Sequence, residues 1–248
     1  MADQQLKRRP KPLPAEPAGK AVSQARARKA VEVRTTAGKP RNADATRAKI
    51  LEAAISEFAA KGLEARIEDI ADMANANRRM AYYYFGSKEG LYLAALEEAY
   101  LQLAQAEESV DVDALSPTQA IAALISAKFD HFITYPQYIE FVKIENVYRA
   151  RHMKESQRIA ELCDPLITNL ERALKRGQET GEFRGDVTAF ELSMTIAALA
   201  FFPVSNQHTV FAIFGTDLTD PATVERRRKM TIDMVLLYLA QNGKRQSD

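Results

Sequence analysis

The 248-residue sequence predicts an all-α protein, a compact three-helix unit followed by a larger helical domain. Three observations predict this. Apolar residues recur at helical spacing from residue 42 onward, alternating apolar and polar runs are too few for a sheet, and Pro and Gly interrupt the pattern at helix-length intervals. The boundaries that follow are a basic arm over residues 1–41, the three-helix unit over 42–88, the larger domain over 89–241 and a short tail over 242–248.

The arm carries eleven Lys and Arg against Asp3, Glu16 and Glu32, and it holds five of the ten prolines. With few large apolar residues it cannot offset the cost of ordering, so it is expected to be disordered. It is either a solvated tail or a flexible contact for phosphate. The whole chain has a net charge of only +1, which names no partner.

A first helix is expected from Ala43 to Lys61, with Ile50, Leu51, Ala54, Ile55 and Phe58 on one face and Gly62 at its end. Two short helices follow, Ile67 to Ala74 and Arg78 to Phe85, joined by about three residues. Asn75 is the residue suited to positive φ in the turn, and Asn77 is suited to capping the second short helix. This arrangement is a helix-turn-helix. The second short helix presents Asn77, Arg78, Arg79, Tyr82 and Tyr83, whose amides, guanidinium groups and phenols suit base edges and phosphates of double-stranded DNA. Lys88 starts the next helix, placed to meet a phosphate, whereas Tyr84 and Phe85 read as core aromatics.

The run Ile70-Ala71, then Ala81-Tyr82-Tyr83-Tyr84-Phe85-Gly86-Ser87-Lys88-Glu89-Gly90-Leu91, resembles the DNA-binding domain of the TetR family of bacterial repressors over Ile50 to Leu96. The resemblance implies that Tyr82 and Lys88 contact phosphates and that Asn77 to Tyr83 supply most groove contacts. Where the family has a Thr-Thr-Val run, this chain has Ala65, Arg66 and Ile67, so Arg66 stands in for a lost phosphate contact.

Further helices are expected from Lys88 to about Ser109, from Pro117 to just before Pro136 with Ser116 as cap, and, opened by Pro136, from Gln137 to about Arg149. The pattern from His152 to Thr180 is helical, with Pro165 either kinking one helix or separating two. After a turn at Gly181, helices over Val187 to Phe202 and Pro221 to Gln241 are more apolar than one subunit can cover, unless both lie in its core. In the TetR family the corresponding pair forms a four-helix bundle with its symmetry mate, which implies a homodimer.

The aromatic residues Phe129, Phe132, Tyr135, Phe141 and Phe202 fall near His131, Asn146, Arg149 and Asn206, a mixture that suits a small-molecule site as well as a packed core. Arg149 would receive an anionic oxygen if it faces inward and is a surface charge if it does not. The segments Ile144 to Met153 and Phe202 to Asn206 resemble family members that respond to aromatic nitrogen heterocycles, which implies a planar aromatic or anionic effector, with hydrophobic drugs or acyl chains, as in other relatives, the open alternative.

No Gly-rich phosphate loop, serine elbow or His-Glu-x-x-His motif is present, and His131, His152 and His208 are scattered, so no catalysis, metal or cofactor is expected. The single cysteine, Cys163, excludes an intrachain disulfide and fits a reducing, cytoplasmic setting. The longest apolar stretch, Ile196 to Val204, is far below the ~20 residues that span a bilayer, so no membrane partner is expected. The expected function is that of a ligand-responsive repressor released from its operator by an effector. The alternative is a helical carrier or enzyme that keeps a vestigial helix-turn-helix, binding ligand without salt-dependent DNA affinity.

Overall fold

The computed structural model describes residues 40–240, so the basic arm and the C-terminal tail lie outside the described residues, apart from the start of the first helix. Those residues form ten α-helices in the order α1 (Pro40–Lys61), α2 (Ile67–Met73), α3 (Arg78–Phe85), α4 (Lys88–Glu108), α5 (Pro117–Thr134), α6 (Pro136–Val147), α7 (Gln157–Glu179), α8 (Ala189–Ser205), α9 (Gln207–Phe214) and α10 (Pro221–Leu239). No named strand occurs among them, and the all-α expectation holds.

Local chemistry fixes the helix starts. Ser87 accepts from the Gly90 amide at the head of α4, and Asp220 accepts from the Thr223 amide at the head of α10. Ser116 with Gln119 and Thr188 with Glu191 form reciprocal capping pairs at α5 and α8, contacts worth about 1 kcal/mol each. Gly90 is needed for packing, because a Cβ there would lie 2.2 Å from the Phe85 carbonyl oxygen. Its absence lets α4 start directly against the end of α3.

Several boundaries differ from the sequence expectation by a few residues, among them the start of α7 at Gln157 and the end of α8 at Ser205. The α6 helix stops at Val147 because Arg149 and Ala150 take positive φ values of 58° and 56°. A single helix, α7, spans position 165, so the kink-or-break choice resolves to one continuous element. Residues 207–214, which lie between the two expected late helices, form α9, which shares Asn206 with the end of α8.

Two apolar cores position the site. The first joins Ile50, Ala54 and Phe58 of α1 with Ile67 and Ile70 of α2, Ala81 of α3 and Leu91, Tyr92 and Leu96 of α4. The second joins Leu103 of α4 with Ile121, Ile125, Phe129 and Phe132 of α5, Leu170 of α7 and Ile196 of α8. Full burial stabilises by about 1.5–3 kcal/mol per large side chain. The α4 helix contributes to both cores and so links them mechanically. Phe141 packs in the first core, 5.6 Å from the Tyr92 ring, and not with Phe129 and Phe132. The reason is that α6 straddles both cores, with Tyr138 touching each.

Candidate functional site

The turn between α2 and α3 is built as its residues demand. Asn75 has φ 49°, and the Asn77 side chain accepts from the Arg79 amide at 2.8 Å. Ala81, 2% exposed, seats α3 on the first core, which turns the opposite face outward. That face shows Tyr82 at 45% and Tyr83 at 78% exposure, beside exposed Arg78 and Arg79.

The cations differ in what holds them. Arg78 is tied to Glu68 of α2 at 2.7 Å, which lowers the Glu68 carboxyl below its usual range. Arg66 is exposed and lies 3.8 Å from the same carboxylate. Lys88 donates to the Leu63 carbonyl at 2.5 Å, linking the start of α4 to the 3-10 turn Gly62–Glu64. The Arg79 guanidinium has no ion-pair partner among the described residues. Arg47 of α1, which sequence reasoning passed over, lies 4.9 Å from the Phe85 ring centroid. Tyr84 and Phe85 are half-buried against the first core, as expected of them.

In the larger domain the structure gathers only part of the expected ligand set. His131 is 2% exposed, and its ring lies 5.2 Å from Tyr135, 5.6 Å from Tyr138 and 6.1 Å from Phe132. Phe129 is buried nearby against Ile133, Ala200 and Pro203, bordering a void of about 10 Å³. The remaining expected residues stand apart. Phe141 belongs to the first core, Asn146 is exposed and bonded to the Val142 carbonyl, and Arg149 is exposed in the loop after α6. Phe202 is 51% exposed, and the Asn206 amide caps the end of α8 by donating to the Phe202 carbonyl and Ser205 Oγ.

Lys128, Glu107 and Tyr100 were missed. Lys128 of α5 and Glu107 of α4 form a buried ion pair, and the Tyr100 and Tyr138 rings meet at 5.1 Å. A signal existed for Lys128. It falls three residues after Ile125 and four after Leu124, on the apolar face of its helix, where an unpaired cation is rare.

A second polar cluster lies against the first core. Glu145 of α6, 1% exposed, accepts from the Tyr92 hydroxyl at 3.0 Å and from the His152 and Met153 amides at 3.1 and 3.2 Å. His152 Nδ1 lies 2.8 Å from the same carboxylate. These bonds hold the loop that contains the positive-φ residues Arg149 and Ala150. Tyr92 in turn stands edge-on to Phe58 at 5.1 Å, so the chain of contacts runs from α6 through α4 to α1.

The last helices leave large apolar groups uncovered. Phe190 and Met194 on α8, Phe211, Ile213 and Phe214 on α9, and Met230, Met234 and Leu237 on α10 are between 44% and 72% exposed. A groove of about 340 Å³ runs along α10 between Met230, Met234 and Leu237. Among the described residues no single helix is long and apolar enough to cross a membrane.

Residues 50–95 match the model described as "Bacterial regulatory proteins, tetR family", and residues 117–235 match "Tetracyclin repressor-like, C-terminal domain". The chain is 35% identical over 191 residues to the HTH-type transcriptional repressor NicS of Pseudomonas putida KT2440, covering 77% of this chain and 90% of that protein. It is 31% identical over 167 residues to the HTH-type transcriptional repressor SCO4008 of Streptomyces coelicolor, covering 66% and 81% respectively. Among solved structures, the transcriptional regulator FadR from Bacillus subtilis in complex with stearoyl-CoA superimposes with a TM-score of 0.61 at 18% identity. That superposition covers 78% of this chain and 99% of the other, and at that identity it speaks for the fold alone.

Proposed function

Because the chain belongs to the TetR family of bacterial regulatory proteins, we propose that it is a homodimeric repressor whose hold on an operator is released by a small-molecule effector. The observation that carries this reading is α3 itself, anchored by Ala81 and presenting Arg79, Tyr82 and Tyr83 to solvent. In the major groove, Asn77, Arg78, Arg79 and Tyr83 read base edges, while Tyr82, Lys88 and Arg66 meet phosphates. Lys88 exchanges its bond to the Leu63 carbonyl for a phosphate oxygen.

Two copies are needed to place two α3 helices in successive major grooves about 34 Å apart. The uncovered apolar residues of α8, α9 and α10 supply a face for that pairing. A planar aromatic or anionic effector is taken up in the larger domain, around His131, Phe132 and Tyr135 with Phe129 behind them. Its occupancy reaches α3 through α4, which lies in both cores, and through the Glu145 to Tyr92 bond. The mechanism is a population shift, so DNA must weaken effector binding by the factor by which effector weakens DNA binding. The basic arm adds phosphate affinity, and a cytoplasmic location follows from the DNA partner.

The test is a fluorescence-anisotropy titration of the full chain against duplexes from its own upstream region. Saturable binding that weakens with salt supports the reading, and binding of small molecules with no duplex affinity at any salt concentration supports a carrier or enzyme instead.

A further inference from the structure

The His131 region holds buried polar groups whose charges cancel. Lys128 is neutralised by Glu107, with the two residues 9% and 3% exposed. His131 follows Lys128 by three residues on α5, and neither of its ring nitrogens has a hydrogen-bond partner. Burial, reinforced by the Lys128 charge, pushes the imidazole down to about 4, so near neutral pH it offers one unmet donor and one unmet acceptor. Burial pushes the Tyr100 phenol up to about 12 and also raises Tyr138 and Cys163, so all three stay protonated.

A buried ring with two unsatisfied nitrogens lowers stability unless an incoming group bonds to it. The rings of Phe132, Tyr135 and Tyr138 around His131 leave flat surfaces for such a group. Tyr135 is 43% exposed and tilted 33° over the imidazole, the one member of this ring cluster open enough to give way. A void against Lys128 and Glu107 measures about 10 Å³, room for one water, so a ring reaching that pair must displace side chains.

Charge selects among rings. A free carboxylate entering against Lys128 finds that cation already paired, and taking it would strand Glu107 in the interior. Arg149 stands exposed in the loop after α6, and Arg227, whose Nε lacks a partner, borders the void behind Phe129 and not the rings around His131. We propose that this cluster binds an uncharged planar ring compound, hydrogen-bonded to His131 among Phe132, Tyr135 and Tyr138, and rejects the same ring bearing a free carboxylate. The proposal rests on the reading of the larger domain as the effector domain and narrows the class of effector.

The experiment uses matched probes, benzamide against benzoate and nicotinamide against nicotinate, titrated into the full-length protein by ligand-observed NMR, with operator affinity followed in parallel. The amide of at least one pair is expected to bind more than about tenfold tighter than its carboxylate, because the amide leaves the ion pair intact. His131→Leu is expected to abolish amide binding while thermal unfolding shows it folded. Glu107→Gln, which frees Lys128, is expected to shift the preference toward the carboxylate. Tighter carboxylate binding to the wild type, or amide binding undiminished in His131→Leu, overturns the proposal. If a carboxylate binds better and also releases DNA, the effector reading stands and only the neutral-ligand inference fails. If no probe binds, or none that binds alters operator affinity, both fail.

Discussion

The Tyr92 hydroxyl donates to the Glu145 carboxylate at 3.0 Å, a buried bond between α4 and α6. Tyr92 packs on Phe58 beneath the helix-turn-helix, and Glu145 fastens the strained loop at Arg149 and Ala150. Burial and then the Glu145 charge raise the Tyr92 phenol above its ordinary range, so it remains a donor at any pH the protein meets.

Removing that hydroxyl leaves one acceptor site of Glu145 unmet. Tyr92→Phe is expected to lower stability by about 1–3 kcal/mol, read by urea unfolding. It is also expected to shrink the coupling between effector and operator, read as the ratio of operator affinities with and without effector. Stability loss with unchanged coupling would reduce the bond to a packing feature.

On the proposed function, the exposed face of α3 serves DNA binding and not the fold. Arg79→Ala and Tyr83→Ala are expected to change unfolding free energy by less than about 0.5 kcal/mol. The same variants are expected to cost about 1–3 kcal/mol in operator binding, measured by anisotropy. Glu68→Gln should act in the opposite direction, since it frees Arg78 and removes a negative charge from the groove side. Weaker binding by Glu68→Gln would show that its ion pair with Arg78 orients α3.

His131 makes stability pH-dependent with a definite sign. Its folded pKa, about 4, lies below the ordinary 6.5, so the unfolded chain takes up the proton more readily. The contribution is fully present above about 6.5 and is lost as pH falls toward about 4. Thermal unfolding across that window should show a steeper decline for wild type than for His131→Leu. Parallel curves would mean that other groups set the acid limb.

The uncovered face of α8, α9 and α10 has its own test. Leu237→Glu together with Phe214→Glu is expected to yield a monomer by light scattering, with helicity retained and operator affinity sharply reduced. A dimer that survives both changes places the interface elsewhere.

The helix-turn-helix was legible almost residue by residue. Its information is local, since Asn75, Asn77 and Ser87 each act on backbone groups within a turn. The all-α class and most boundaries followed from spacing and caps. The α9 helix was not legible because Gln207 and His208 follow Asn206 without a side-chain cap, and none of its residues is buried to give a periodic apolar face. Grouping Phe141 with Phe132 failed because spacing tells which residues share a helix face and not which neighbouring core that face meets. Lys128 and Glu107 are 21 residues apart on different helices, so their pairing appears only when α4 and α5 pack.

The central claim is that α3 reads duplex DNA, and selection from a randomised duplex pool at low salt tests it most directly. Enrichment of a two-fold symmetric site whose half-sites lie about one helical turn apart is expected, and its loss in Arg79→Ala and Tyr83→Ala. A pool that emerges unenriched, or enrichment that both variants retain in full, contradicts it.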